Sequence, residues 1–329
     1  MPRAIVLRRY GPPDELRLEE VPQPPLVRGE LRLRVLAAGV NRTDIEIRAG
    51  HWPILKDDPF PYIPGVEAVG EVAEIGPDVS DFAVGDRAIT MMMGLGGVRA
   101  ERAGGYQDEV VVPAPNCARI ADVNARAIAA LGLAGVTALN GLRVVEAAPG
   151  TRILVTGASG GVGACALRIG KALGARMIAA TSDAAKEPSL RGFGADEVVS
   201  VPREGKAKID LPEVDGVVDT VGGALFGALV ETLKPRGRLC LVGGASSEAI
   251  ALSAWALLRE ITLTGWSSEK LDGPALRRDV ETFARLLRES RLVPPPTTLL
   301  PLSGAATAHR KMEAGARHGR LLLVPHGLD

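Results

Sequence analysis

The chain has 329 residues with 39 basic and 39 acidic side chains, and 46% of it is hydrophobic. That length predicts about two domains, since a single core rarely grows past roughly 250–300 residues. A net charge of zero leaves no bulk field to draw the protein to nucleic acid or to a membrane surface, and both are excluded as expected partners.

From Ala4 to about Pro113 the pattern is of short strands and turns. Leu31–Leu36 alternates as a half-exposed strand, Val66–Ile75 is a long apolar segment, and Val84–Ile89 follows a Gly-Pro turn. One short helix is predicted over Thr43–Ala49. The charge-free stretch Ala127–Leu142 is glycine-broken and reads as too short to span a bilayer. The N-terminal apolar run is too short for a signal peptide. Cys117, Cys165 and Cys240 are dispersed and odd in number, which predicts small buried hydrophobes in a reducing cytoplasm.

Beyond about Asn124 strands and helices alternate. A helix is predicted through Ala134–Val145, then strand 152–156, helix 162–173, strand 176–181 and helix 184–192. Strand 215–219, helix 223–233, strand 237–242, helix 253–259 and strand 261–266 follow. Such alternation predicts an α/β fold with a doubly wound parallel sheet. Leu276, Val280, Phe283, Leu286 and Leu287 then mark one face of an amphipathic helix over Ala275–Ser290. The run Pro294-Pro-Pro296 marks a boundary, after which a helix and a strand return to the first domain.

The most informative stretch is Thr156-Gly-Ala-Ser-Gly-Gly-Val-Gly163, set between a predicted buried strand and a predicted helix. Strand, glycine turn and helix together offer free backbone N–H groups and a positive helix end to a diphosphate. Short-chain dehydrogenases place a similar turn near the N-terminus and add a Tyr-x-x-x-Lys pair. Here Tyr10, Tyr62 and Tyr106 are followed four residues on by Asp14, Val66 and Val110, so that reading is excluded.

The turn instead resembles that of the zinc-free quinone oxidoreductase (zeta-crystallin-like) branch of the medium-chain dehydrogenase/reductases. Further matches are Ala38-Gly-Val-Asn-Arg-Thr-Asp44, Pro61-Tyr-Ile-Pro-Gly-Val-Glu-Ala-Val-Gly70, Val84-Gly-Asp-Arg87, Thr137, Gly194-Ala-Asp196, Val218-Asp-Thr-Val-Gly222 and Gly237-Arg238…Gly243-Gly244. The resemblance implies a GroES-like β-barrel catalytic domain over 1–123, completed by 294–329, and a Rossmann dinucleotide-binding domain over 124–293. It also implies an active site in the cleft between domains, and a homodimer paired through the edge strand Ile261–Trp266.

Zinc relatives carry a Cys and a His where this chain has Asn41 and Val66, and neither residue supplies the thiolate or imidazole of a tetrahedral site. No metal is expected. Without a Lewis acid the hydride acceptor must already be electrophilic, as are a C=C conjugated to a carbonyl or a quinone. The resemblance sets Asn41 beside the nicotinamide with Asp44 nearby, while Asp44 could equally cap the following helix. His51 is a candidate proton donor and Trp52 a pocket wall. Candidate substrate contacts are Met92, in the strand-end run Met91–Met93, and Arg99 and Arg102, in a glycine-rich loop over Gly94–Gly105.

For the cofactor, Asn41, Thr137, Ser159, Gly160, Gly161, Val162, Gly163, Thr181, Ser182, Lys186, Gly243 and Gly244 are the expected binding residues. Thr181 and Ser182 at the strand end, with Lys186 a turn later, suit a 2′-phosphate and so NADPH. Asp183 is the contrary sign, because an acidic residue there would hold the ribose hydroxyls of NAD. The expected function is reduction of an enone, enal or enoyl-coenzyme A thioester by NADPH. The alternatives are an NADPH:quinone oxidoreductase, a non-catalytic NADPH-binding protein and, third, a zinc alcohol dehydrogenase.

Overall fold

The computed structural model describes residues 1–326 apart from 53, 55–58, 96–101, 121, 203–210, 247–248 and 316–318. The chain divides into two compact units, Met1–Leu133 with Ser268–Glu289 and Pro296–Asp329, and Ala134–Ser267 with Ser290–Pro295.

In the first unit, β1 (Arg3–Val6) and β2 (Arg17–Glu20) form an antiparallel ribbon. Then come β3 (Glu30–Gly39), helix α1 (Arg42–Ala49), β4 (Glu67–Ile75), β5 (Arg87–Met91), β6 (Glu109–Pro113) and β7 (Cys117–Ile120). Along β3 buried Leu31, Leu33 and Val35 alternate with half-exposed Arg32 and Arg34, and burial turns continuous at Ala37–Gly39. The period of two gives way where both faces of the strand are covered.

The helical segment α2 (Ala125–Val144) is two helical stretches that meet at Gly132, and the second contains the helix predicted from Ala134. Gly132 breaks the helical conformation between them, with φ 45° and ψ −145°. Taken as one 20-residue span the segment is long and apolar enough to cross a membrane, and 78% of its most apolar window is buried in the protein.

The second unit contains β8 (Arg152–Val155), α3 (Gly161–Leu173), β9 (Arg176–Thr181), α4 (Glu187–Gly192), β10 (Glu197–Ser200) and β11 (Val214–Asp219). It continues with α5 (Phe226–Glu231), β12 (Leu233–Leu241), α6 (Ala254–Leu257) and β13 (Thr262–Gly265). The six strands are all parallel, in the order β10-β9-β8-β11-β12-β13. Leu154, Ile178, Val217, Leu229 and Leu239 are fully buried at its core, as expected of strands covered on both faces. Strand β10 is an element the sequence reading missed.

Helix α7 (Gly273–Arg288) was expected with the dinucleotide domain but packs on the first unit. Asp272 caps it through the Ala275 N–H at 2.8 Å, and Arg277 donates to the carbonyls of Pro115 and Cys117 at 2.8 and 3.2 Å. The chain closes with β14 (Thr297–Pro301), α8 (Ala305–Glu313) and β15 (Arg320–Val324). The larger sheet of this unit runs β14-β15-β3-β4-β5-β7, with β6 paired to β3. No ladder among the described strands closes this mostly antiparallel sheet on itself. All three cysteines are buried thiols outside any disulfide.

Candidate functional site

The first unit brings Asn41, Glu67 and Arg320 together through strand register. Leu322 faces Gly39 in the antiparallel β15–β3 ladder, and continuing that register sets Arg320 opposite Asn41. A register shift between Val35 and Ala37 moves the β3–β4 pairing by one residue, and its continuation sets Gly39 opposite Glu67. A Cβ on Gly39 would lie 1.8 Å from Glu67 Oε1, and one on Gly132 would lie 2.0 Å from Oε2. The carboxylate therefore sits in a gap that only two glycines leave open.

Glu67 and Arg320 form an ion pair in which each side chain is 3% exposed. Asn41 Nδ2 donates to Glu67 Oε1 at 2.9 Å and to the Gly39 carbonyl at 3.3 Å, while Arg320 Nη1 donates to Asn41 Oδ1 at 2.9 Å. The Leu133 N–H donates to Glu67 Oε2. Both amide hydrogens of Asn41 and its oxygen are thus engaged within the protein.

Asp44 is fully buried at the start of α1. Its carboxylate accepts the N–H groups of Asn41 at 2.8 Å and Val66 at 3.0 Å, so it is the N3 partner in a capping box whose N-cap is Asn41. The Tyr106 hydroxyl is a further hydrogen-bond partner. Burial pushes the Asp44 pKa up to about 7, assisted by the neighbouring Glu67 carboxylate and opposed by the two N–H donors. Tyr106 also lies 3.4 Å from His309 Nε2, with the rings edge to face. Burial holds His309 neutral, its pKa lowered to about 3, and the charge of Arg48 acts in the same direction. Arg48 pairs with Glu313, leaving its Nε and Nη1, like His309 Nδ1, without a protein partner.

The other catalytic and substrate candidates disperse. His51 is exposed and its Nδ1 is 2.9 Å from Glu46, which also pairs with Arg42. Trp52 is half-buried, its N–H bonded to the Glu46 carbonyl at 3.1 Å. Met92 is buried at φ 46°, a conformation L-residues rarely adopt. Arg102 donates to the buried Glu30 carboxylate at 2.6 Å, so its charge is spent inside the protein rather than offered to a substrate. Arg99 lies outside the described residues.

In the second unit the order of the parallel strands reverses between β8 and β11, the position where open α/β sheets bind ligands. The glycine turn follows β8 there. Gly157 has φ 54°, and a Cβ on it would meet Thr220 Oγ1 at 2.2 Å. A Cβ on Gly163 would meet the Gly157 carbonyl at 2.4 Å, so α3 starts tight against the turn. The Gly160 N–H closes the turn onto the Gly157 carbonyl at 2.8 Å, while the first N–H groups of α3, at 161–163, have no intrahelical acceptor and suit a diphosphate.

At the end of β9, Thr181 is buried and Ser182 exposed. Lys186 reaches back to Ser159 of the glycine turn, Nζ to Oγ 3.5 Å. Asp183 turns away to cap 184–186, its carboxylate accepting the Ala185 N–H at 3.1 Å. Thr137 is buried on α2, Gly243 is half-buried and Gly244 is exposed beyond β12.

Sequence reasoning missed Glu67 and Arg320 as a pair, together with Tyr106 and His309. The local signal was the glutamate opening β4, followed by the buried Ala68 and Val69.

Residues 27–122 match the alcohol dehydrogenase GroES-like domain and 193–323 the zinc-binding dehydrogenase domain. The second name implies zinc, which these residues do not fit. Asn41 and Val66 hold the ligand positions, and a guanidinium is bonded to Asn41 and Glu67. Among the described residues no three His, Cys, Asp or Glu side chains cluster for a metal.

The chain is 29% identical to a 2-haloacrylate reductase of a Burkholderia species, over 99% of each protein. It is also 29% identical to an acryloyl-coenzyme A reductase of Metallosphaera sedula, over 98% of this chain and 99% of that one. Polyketide synthase GfsB of Streptomyces halstedii is 32% identical over 93% of this chain, which spans only 5% of that protein. Among solved structures, AibC is 31% identical with a TM-score of 0.85, over 98% of this chain and 95% of that one. A mycobacterial protein complexed with NADPH is 28% identical with a TM-score of 0.83, over 99% and 100%. A mycobacterial quinone oxidoreductase is 28% identical with a TM-score of 0.84 over the same shares. With both domain matches in order and a full-length relative above 30% identity, the chain belongs to the zinc-free, quinone-oxidoreductase-like branch of the medium-chain dehydrogenase/reductases.

Proposed function

We propose that the protein is an NADPH-dependent reductase of a C=C bond conjugated to a carbonyl, acting on a short enoyl thioester, enal or enone. The observation that carries this reading is the occupancy of the two metal-ligand positions by Asn41, locked to Glu67 and Arg320, and by Val66. Neither side chain can hold the Lewis acid that would activate an alcohol, so an acceptor already polarised by conjugation suits these residues best. The 2-haloacrylate and acryloyl-coenzyme A reductases that align over nearly the whole chain support the same class of substrate.

NADPH is favoured over NADH by Thr181, Ser182 and Lys186 beside the glycine turn, and by the turning away of Asp183 into a helix cap. The mycobacterial relative complexed with NADPH supports this choice. When bound, NADPH supplies the hydride. The residues 161–163 hold the diphosphate by N–H donation, and Lys186 meets the 2′-phosphate. Asn41 has no spare donor for an enolate oxygen, so its part is to fix the entry to α1. Asp44, partly protonated near neutral pH and bonded to Tyr106, keeps a proton inside this unit.

Quinone reduction is the second reading, supported by the mycobacterial quinone oxidoreductase. The assembly we propose is a homodimer through the edge strand β13, flanked by the exposed Trp255, Leu257 and Leu258.

The test is NADPH consumption with a short branched 2-enoyl-coenzyme A and, side by side, a simple naphthoquinone. Turnover of the thioester to a saturated product is expected. Turnover of the quinone alone would assign the second reading, and cofactor binding with neither turnover would leave a binding protein.

A further inference from the structure

The segment Val218-Asp-Thr-Val-Gly222 has so far been given no part in the chemistry. Asp219 ends β11 and is fully buried. Its Oδ1 accepts the Thr156 hydroxyl at 2.5 Å, the Val221 N–H at 2.9 Å and the Gly222 N–H at 3.2 Å, and Oδ2 accepts the Gly222 N–H at 3.2 Å. Thr156 opens the glycine turn. Its Oγ1 in turn accepts the Thr220 N–H at 2.9 Å, and its carbonyl accepts the Thr220 hydroxyl at 3.0 Å. That same Thr220 hydroxyl occupies the space a Cβ at Gly157 would need. The Val242 N–H donates to the Asp219 carbonyl at 2.8 Å. One residue thus joins the ends of β8, β11 and β12 at the reversal of strand order.

Every hydrogen bond to this carboxylate comes from a neutral donor. Burying a charge among neutral donors is costly, and a purely structural tie could be made without one. The donor set shows what the charge achieves. All three donors reach Oδ1, and the Gly222 N–H is shared with Oδ2, so an amide in this place would set its own N–H against the Gly222 N–H. The N–H groups of 221 and 222 are consumed, which leaves those of 161–163 as the turn's free donors.

We propose that Asp219 is a positioning residue for the dinucleotide: it fixes the Thr156 hydroxyl, and through it the pitch of the glycine turn that meets the diphosphate. The inference rests on the reading of this unit as an NADPH site.

Calorimetric titration with NADPH tests it on Asp219→Asn, Thr156→Val, Thr156→Ser and the Asp219→Asn/Thr156→Val double variant, each with its melting curve. Asp219→Asn and Thr156→Val should each weaken binding about tenfold or more, and Thr156→Ser, which keeps the hydroxyl, should bind as the wild type does. The double variant should bind no more weakly than the weaker single, because both changes break one link. Binding by Thr156→Val within about twofold of wild type, with only a lowered melting temperature, would overturn the proposal, as would equal losses in Thr156→Val and Thr156→Ser. These two threonine variants decide the matter even if Asp219→Asn does not fold. Absence of NADPH binding by the wild type would overturn the cofactor reading itself, and this inference with it.

Discussion

Replacing Arg320 by Met tests whether the Glu67–Arg320 pair holds the first unit together where its glycines converge. Methionine keeps the length and apolar stem of arginine and removes the guanidinium. Glu67 would be left 3% exposed with only neutral donors, Asn41 Nδ2 and the Leu133 N–H, and Asn41 Oδ1 would lose its donor. Breaking a buried pair from one side costs about 3–5 kcal/mol. The two surviving donors put the loss near the lower end, and the orphaned Asn41 oxygen adds about 1 kcal/mol, for about 4 kcal/mol in all. The Glu67→Gln/Arg320→Met double variant carries no buried charge and should recover about half of that loss. Urea unfolding read by fluorescence resolves this unit if Trp255 and Trp266, both in the second unit, are first changed to Phe, leaving Trp52 as reporter. A single-variant loss below about 1 kcal/mol would refute the argument. So would a double variant less stable than the single, because Glu67 would then depend on its charge for some other contact.

Three further outcomes are expected. Lys186→Ala should raise the Michaelis constant for NADPH about ten- to hundredfold and leave that for NADH unchanged, since a charge-assisted contact contributes roughly 1.5–3 kcal/mol; an unchanged NADPH value would sink the 2′-phosphate assignment. Asp44, with a folded pKa of about 7 against an ordinary 3.8, binds more protons in the folded state than in the unfolded one between those values. Its contribution to stability is therefore full below about pH 4 and lost by about pH 7, by on the order of 4 kcal/mol. The stability of Asp44→Asn relative to wild type should accordingly rise between pH 5 and pH 8, and a pH-independent difference would show that Asp44 titrates normally. Trp255→Arg with Leu258→Arg should halve the sedimenting mass while leaving the melting of the second unit in place; a monomeric wild type would remove the proposed dimer.

The second unit was legible in the sequence, and the central part of the first was not, for one physical reason. Strands β8, β9 and β11 announce themselves because strands buried on both faces must be largely apolar at their centres, and a β–α turn of this kind must use glycine. Those are local requirements, visible within ten residues. Strand β10 escaped because its four residues, Glu197–Ser200, are half-exposed and mixed in character. Asn41, Glu67 and Arg320 meet through two ladders and one register shift, across 279 residues at the widest. No local pattern encodes such a meeting; each residue alone reads as a polar side chain at an element's end. The kink at Gly132 illustrates the difference. In sequence this glycine interrupts the charge-free stretch Ala127–Leu142, and the helix is predicted from Ala134. In the structure it marks where a helix must surrender its Cβ to make room for a carboxylate fixed by strands more than sixty residues upstream. Gly39 yields space to the same carboxylate from the opposite ladder, so two glycines with ordinary local explanations are linked by one buried charge. Asp219 belongs with them. A charged residue ending an apolar strand was visible from the start, but its reason lies in Thr156, 63 positions away.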